Sequence, residues 1–136
     1  MSEIQAVKTP GAPAALGPYS QAVRVGGWIF CSGQIGLDPA DGSLVAGGVT
    51  AEVERIFDNV EAILAAAGSS LRDIVRTTLY LTDLADFAAA NAVYASRLRE
   101  PFPARATIQV SALPKGAKAE IEVTAVAPRT GPGAAA

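Results

Sequence analysis

Arg105, Glu120 and Glu122 are the residues of this chain best equipped for chemistry, and they fall within one stretch, PFPARATIQVSALPKGAKAEIEV, residues 101–123. A guanidinium offers a planar fork of donors that grips a carboxylate through two parallel hydrogen bonds, and a nearby carboxylate can hold a water or move a proton. From position 105 to 112, Arg105, Thr107, Gln109 and Ser111 alternate with Ala106, Ile108, Val110 and Ala112, the period of a strand with one polar face. Glu120 and Glu122 alternate in the same way with Ile121 and Val123. The stretch reads as a β-hairpin whose polar side gathers one guanidinium and two carboxylates into a cradle for a small carboxylate. Its connection, Leu113 to Lys118, permits more than one register, so the sequence does not say which glutamate faces Arg105. The bland account of these residues is a cross-strand ion pair between the glutamates and Arg105 or Lys118.

Composition narrows the chemistry further. The 136 residues include no histidine and a single cysteine, Cys31. That removes Ser-His-Asp and Cys-His nucleophilic sites, zinc sites built on histidine or paired cysteines, and any disulfide within the chain. Acid-base work near neutral pH then falls to a carboxylate, a tyrosine, bound water or one of the lysines Lys8, Lys115 and Lys118. No cofactor or metal is expected. The net charge is −2 and no basic run is denser than Arg97-Leu98-Arg99, which disfavours nucleic acid as a partner. Half the residues are apolar, enough for one domain over residues 1–136. No segment approaches the roughly 20 apolar residues of a membrane span, and MSEIQAVKT lacks the pattern of a secretion signal. A cytoplasmic protein is the default expectation.

Other polar residues stand out by position. Asn91 falls on the apolar stripe of a helix, where an amide without a partner costs about 1–3 kcal/mol. A backbone partner in an adjacent loop is the plain account of it. Tyr19 follows Gly17-Pro18, and Ser32-Gly33 closes a strand; each is ordinary by itself. Cys31 has no neighbouring cation to lower its pKa and reads as a small buried hydrophobe. Gly47-Gly48 lacks the rest of any phosphate-loop motif.

The elements that position these residues follow from periodicity and turn chemistry. Residues 8–18, with three prolines and two glycines, form an irregular lead-in. Strands at 22–25 and 28–33 meet at Gly26-Gly27, a two-residue hairpin signal. After the turn residues Asp38-Pro39-Ala40-Asp41-Gly42, apolar residues Val53, Ile56, Phe57, Val60, Ile63, Leu64 and Ala67 recur at helical spacing. They predict a helix over about 50–67, capped by Thr50, with Glu52 in its first turn and Gly68 ending it. IVRTTLYLT, 74–82, is a strand. Asp83 and Asp86 open a second helix with the stripe Phe87, Asn91, Tyr94, Leu98, ended by Glu100-Pro101. Residues 129–136 read as a frayed tail. The order β-β-α-β-α-β-β predicts an α+β fold: a mixed sheet with both helices on one face. The opposite face is expected to carry Thr78, Tyr80, Thr107 and Gln109 and to pack against other subunits.

Taken together, GPYSQAV (17–23), SGQIGLDPADG (32–42), NVEAILAAAG (59–68), DIVRTTLYLTDLADFAAANAVY (73–94) and the 101–123 stretch resemble the RidA (YjgF/YER/UK) family over nearly the whole chain. The resemblance implies a chorismate-mutase-like fold assembled as a homotrimer with sites between subunits. It implies an enamine/imine deaminase that hydrolyses 2-iminopropanoate- and 2-aminoacrylate-type intermediates, released by pyridoxal-phosphate-dependent dehydratases, to 2-keto acids and ammonium. Carried over by position, Arg105 would bind the substrate carboxylate and Glu120 would place the attacking water. Tyr19, Ser32, Gly33, Asn91 and the backbone around Thr107 would line the pocket. Thr107 stands where many relatives carry cysteine, so no thiol-based role is expected there. The second helix is shorter than in some relatives, which bears on the pocket mouth. Members of the family have also been described as endoribonucleases, translation inhibitors and chaperone-like proteins. A non-catalytic ligand-binding or chaperone-like module is the stronger rival reading, because RNA cleavage wants an acid-base pair that this chain lacks.

Overall fold

The computed structural model describes residues 3–128. Its elements run β1 (Gln5–Val7), β2 (Ala22–Val25), β3 (Trp28–Gln34), α1 (Gly48–Ala66), β4 (Ile74–Leu81), α2 (Phe87–Arg97), β5 (Ala104–Gln109) and β6 (Ala119–Val126). Short 3-10 turns precede β4, α2 and β6. The tail expected at 129–136 lies outside the described residues. The six strands form one mixed sheet in the order β1-β2-β3-β6-β4-β5.

The expected α+β architecture is present, and the apolar stripe of α1 explains it. Val53, Ile56, Phe57, Val60, Ile63 and Leu64 are each fully buried against Ile29, Leu79, Leu81 and Ile121 of the sheet. Each such side chain contributes about 1.5–3 kcal/mol of transfer free energy. Ala119 and Ala125 of β6 are fully buried too, and their small side chains suit a strand lying beneath α1. Among the described residues the helices cover one face of the sheet only. Trp28, Phe30 and Ile108, on the other face, are 49%, 43% and 45% exposed.

Several local expectations change. A strand absent from the predicted order, β1, pairs antiparallel with β2 at the sheet edge. Thr50 does not cap α1: Gly47 holds the N-cap position at φ 114, with no side-chain cap. Glu52 falls outside the first turn, because α1 begins at Gly48; it is buried and its Oε1 accepts the Lys118 amide at 2.7 Å. Gly68 does end the helix, at φ 82. Asp83 caps the short 3-10 turn ahead of α2 by accepting the Ala85 amide, and α2 itself stops at Arg97, before Glu100-Pro101.

The largest correction concerns residues 101–123, which are not a hairpin. β5 lies parallel to β4, with Thr77 opposite Arg105 and Leu79 opposite Thr107. β6 lies on the other side of β4, antiparallel to it, with Tyr80 opposite Glu120 and Thr78 opposite Glu122. The physical reason is the crossover: a strand, helix and strand in succession bring the two strands together in parallel, and here α2 makes that crossover from β4 to β5. The ten-residue step from Gln109 to Ala119 then carries the chain past the end of β4.

Candidate active site

Arg105 sits on the helix-covered side of the sheet. Its neighbour across β4 and β5 is Thr77, whose hydroxyl is 2.7 Å from the Tyr94 hydroxyl of α2. The Arg105 Nη1 donates to Asn91 Oδ1 at 2.8 Å, and the guanidinium carbon lies 4.6 Å from the centroid of the Tyr94 ring and 5.4 Å from that of Phe87. Asn91 therefore finds a side-chain partner, not the backbone partner its position suggested. Among the described residues the ion pairs are those of Arg97 with Glu54 and Asp58 and of Arg55 with Asp58, so Arg105 is paired with no carboxylate. That removes the bland ion-pair account.

β5 is an edge strand, and Thr107 contributes backbone to that edge. The Val110 amide donates to the Leu81 carbonyl at 2.8 Å, which turns the even-numbered amides of β5 toward β4. By alternation the amide and carbonyl of Arg105 and Thr107 point outward from the sheet edge, with no partner among the described residues.

Glu120 lies elsewhere, on the opposite face of the sheet, where it lines a cavity of about 490 Å³. Tyr19, Gly33, Gln34, Ile35 and Lys115 share that cavity with it. The strand β3 slips register between Cys31 and Gln34, and Gly33 falls in the slip beside the Glu120 carboxylate. A Cβ at position 33 would stand 2.8 Å from Glu120 Cδ and closer still to Oε2, so only glycine leaves the carboxyl group its place. Ser32 does not point its hydroxyl at the cavity. It donates to the Ser20 carbonyl at 2.6 Å and its amide to the Gln21 carbonyl at 2.9 Å, which ties the loop carrying Tyr19 to β3.

Burial raises the pKa of Glu120 above the ordinary glutamate value, and the charge of Glu122 adds to the effect. Glu122 accepts the Tyr80 hydroxyl at 2.6 Å, a bond that in turn raises the tyrosine pKa. Cys31 is buried and its thiol is pushed up to about 12, so it stays a protonated core residue as expected. Among the described residues no three metal-ligating side chains cluster.

The structure thus gathers the predicted residues into two groups. Arg105, Asn91 and Thr107 form one at the β5 edge; Tyr19, Gly33 and Glu120 form the other, with Ser32 behind it. Arg105 and Glu120 of one chain do not share a cleft. The expectation that Thr107 and Gln109 join Thr78 and Tyr80 on the open face also fails, because parallel register puts Ala106 and Ile108 there instead. Sequence reasoning missed Phe87 and Tyr94 as the platform of Arg105, having read both as core. The signal available was the helical spacing of Phe87, Asn91 and Tyr94, which puts an amide and two rings on one face.

Fold and site define a class: an α+β protein of one mixed sheet and two helices, with an arginine free of any described carboxylate partner at a sheet edge and a half-buried carboxyl group of raised pKa in a cleft. The family model described as Endoribonuclease L-PSP matches residues 9–127, and the chain belongs to that family, the RidA (YjgF/YER/UK) proteins. It is 51% identical over 120 residues to the 2-iminobutanoate/2-iminopropanoate deaminase of Capra hircus, covering 88% of each chain. The crystal structure of RidA from an Antarctic Psychrobacter matches with a TM-score of 0.87 at 50% identity, over 90% of this chain and 98% of that one. The structure of E. coli TdcF with bound serine matches with a TM-score of 0.84 at 41% identity, over 90% and 98%.

Proposed function

We propose that the protein is an enamine/imine deaminase that converts small 2-imino acids to 2-keto acids and ammonium, acting as a cytoplasmic homotrimer with sites between subunits. The observation that carries the reading is Arg105. Its guanidinium is held beside Asn91 and two aromatic rings with no carboxylate partner, next to outward-facing backbone groups of Thr107. A substrate carboxylate supplies the missing charge through a forked pair of hydrogen bonds. The name of the Capra hircus relative supplies the substrate class. The serine in the TdcF structure has the same carboxylate and C2 nitrogen as an imino acid.

The chemistry asks little of the protein beyond placement. With its nitrogen protonated, the imine carbon is already electrophilic, so water needs only to be oriented and relieved of a proton. Glu120 is suited to that exchange because burial and the Glu122 charge make it a stronger base than an ordinary glutamate. In its charged form it accepts a proton from the attacking water as the C–O bond forms. Returned to the nitrogen of the tetrahedral adduct, that proton lets ammonia leave as the C–N bond breaks, and the hydroxyl proton released as the carbonyl forms passes to the departing ammonia. Ammonium and the 2-keto acid are the products, with one water consumed.

The trimer is supported by the two groups lying on opposite faces, which a second copy can bring together, and by the exposed Trp28, Phe30 and Ile108. No helix among the described residues is long and apolar enough to cross a membrane. The nuclease in the family model's description has little support here, with no histidine and net charge −2.

A dehydratase-coupled assay that generates 2-aminoacrylate and follows pyruvate release tests the reading. Acceleration by the protein, lost in Arg105→Ala, is expected. No acceleration, or acceleration undiminished in Arg105→Ala, overturns it. Glu120→Gln should retain 2-keto acid binding while losing rate.

A further inference from the structure

We propose that Tyr94 and Phe87 are positioning residues for the substrate carboxylate, with Thr77 as the anchor that fixes Tyr94. The inference rests on the deaminase reading, in which Arg105 grips that carboxylate.

An arginine that must bind a carboxylate faces a conflict. Its long side chain has many rotamers, and the usual way to fix one is an ion pair with an aspartate or glutamate. Such a partner would also neutralise the charge and occupy the fork that the substrate needs. The structure resolves this with neutral partners. The Tyr94 ring centroid is 4.6 Å from the guanidinium carbon, the Phe87 centroid 5.4 Å, and Asn91 takes one donor through Oδ1. Aromatic faces attract a guanidinium without cancelling its charge, and an amide oxygen does the same through one hydrogen bond.

The platform is itself held. Tyr94 is buried, packs edge to face on Phe57 with centroids 5.7 Å apart, and shares a 2.7 Å hydrogen bond with Thr77 Oγ1. Thr77 is 1% exposed and sits directly opposite Arg105 in the β4–β5 register. The strand that pairs with the arginine therefore also fixes the ring beneath it. One residue of β4 thus lies opposite Arg105 in the strand pairing and anchors the ring under its guanidinium.

The test uses the full chain and pyruvate as the probe. Phe87→Leu and Tyr94→Leu should weaken pyruvate binding and raise KM by about 10- to 100-fold, the scale of a misplaced binding group, with kcat changed far less. Thr77→Val should fall in the same direction, and Thr77→Ser, which keeps the hydroxyl, should recover wild-type affinity. Pyruvamide, which lacks the carboxylate charge, should bind wild type and variants alike. Phe87 is only partly buried, so Phe87→Leu keeps the test decisive if a core variant does not fold. Unchanged pyruvate affinity in folded Phe87→Leu and Thr77→Val overturns the proposal, as does an equal loss for pyruvate and pyruvamide. If Arg105→Ala also leaves pyruvate affinity unchanged, the deaminase reading has failed; if Arg105→Ala loses it while the platform variants do not, only the positioning role has.

Discussion

Glu120 and Glu122 leave the same face of β6 two residues apart, and that spacing governs how the site responds to pH. Burial and the neighbouring charge both raise the Glu120 pKa. If the charged form takes the proton from water, kcat/KM falls as pH drops through that raised value, so the acid limb lies above the ordinary glutamate range. Removing the second cause in Glu122→Gln should move the limb to lower pH, measured as a pH-rate profile. The stability effect has its own sign. A raised folded-state pKa means that the fold prefers the protonated carboxyl, so this contribution is present below the unfolded value and lost as pH rises through the folded one. Glu120→Gln, which cannot ionise, should gain in Tm relative to wild type as pH rises from acid to neutral. Gly33 is the geometric counterpart. Gly33→Ala puts a methyl group on the Glu120 carboxyl, and a loss of kcat of about 10- to 100-fold with an unchanged circular dichroism spectrum is expected from the displaced carboxylate.

At the level of elements, the irregular lead-in is fixed by one buried side chain. Gln21 accepts the Thr9 amide and donates to the carbonyls of Thr9, Ala12 and Pro13. Those residues run into Ala14, Leu16 and Tyr19, which wall the Glu120 cavity. Gln21→Ala strands one buried and several partly buried backbone groups, so a loss of about 1–3 kcal/mol in urea denaturation and earlier proteolytic cleavage within residues 8–18 are expected. Nothing in the sequence around Gln21 advertises this, because four bonds to a proline-rich loop leave no periodic trace. Elements with a strong local signal were legible: the α1 stripe, the Gly26-Gly27 hairpin and the β-branched 74–82 run. The alternation at 105–112 and 119–123 correctly marks two strands, but alternation carries no information about which strand pairs with which. A parallel neighbour is dictated by a crossover that spans β4, α2 and β5, and the hairpin expectation overlooked it. The motif match named Arg105 and Glu120 together; the register shows that one chain holds them apart.

Arg105 reaches the helix side of the sheet and Glu120 the open side, so under the proposed function the two halves of a site come from different copies of the chain. In a closed ring of three copies, each site would take its arginine from one subunit and its glutamate from the next. Sedimentation should then give a trimer, with the surface around Trp28, Phe30 and Ile108 covered. A mixing experiment asks more. Arg105→Ala and Glu120→Gln should each be inactive alone. Every ring containing both variants has one place where an intact arginine meets an intact glutamate. Random assembly from equal amounts makes about three quarters of the rings mixed, each with one working site of three, so co-expressed variants should recover about a quarter of the wild-type rate. If both residues of one chain served the same site, every site would carry a lesion and mixing would restore nothing. The recovered rate, read against the trimer fraction of the same sample, therefore measures the division of labour between subunits directly.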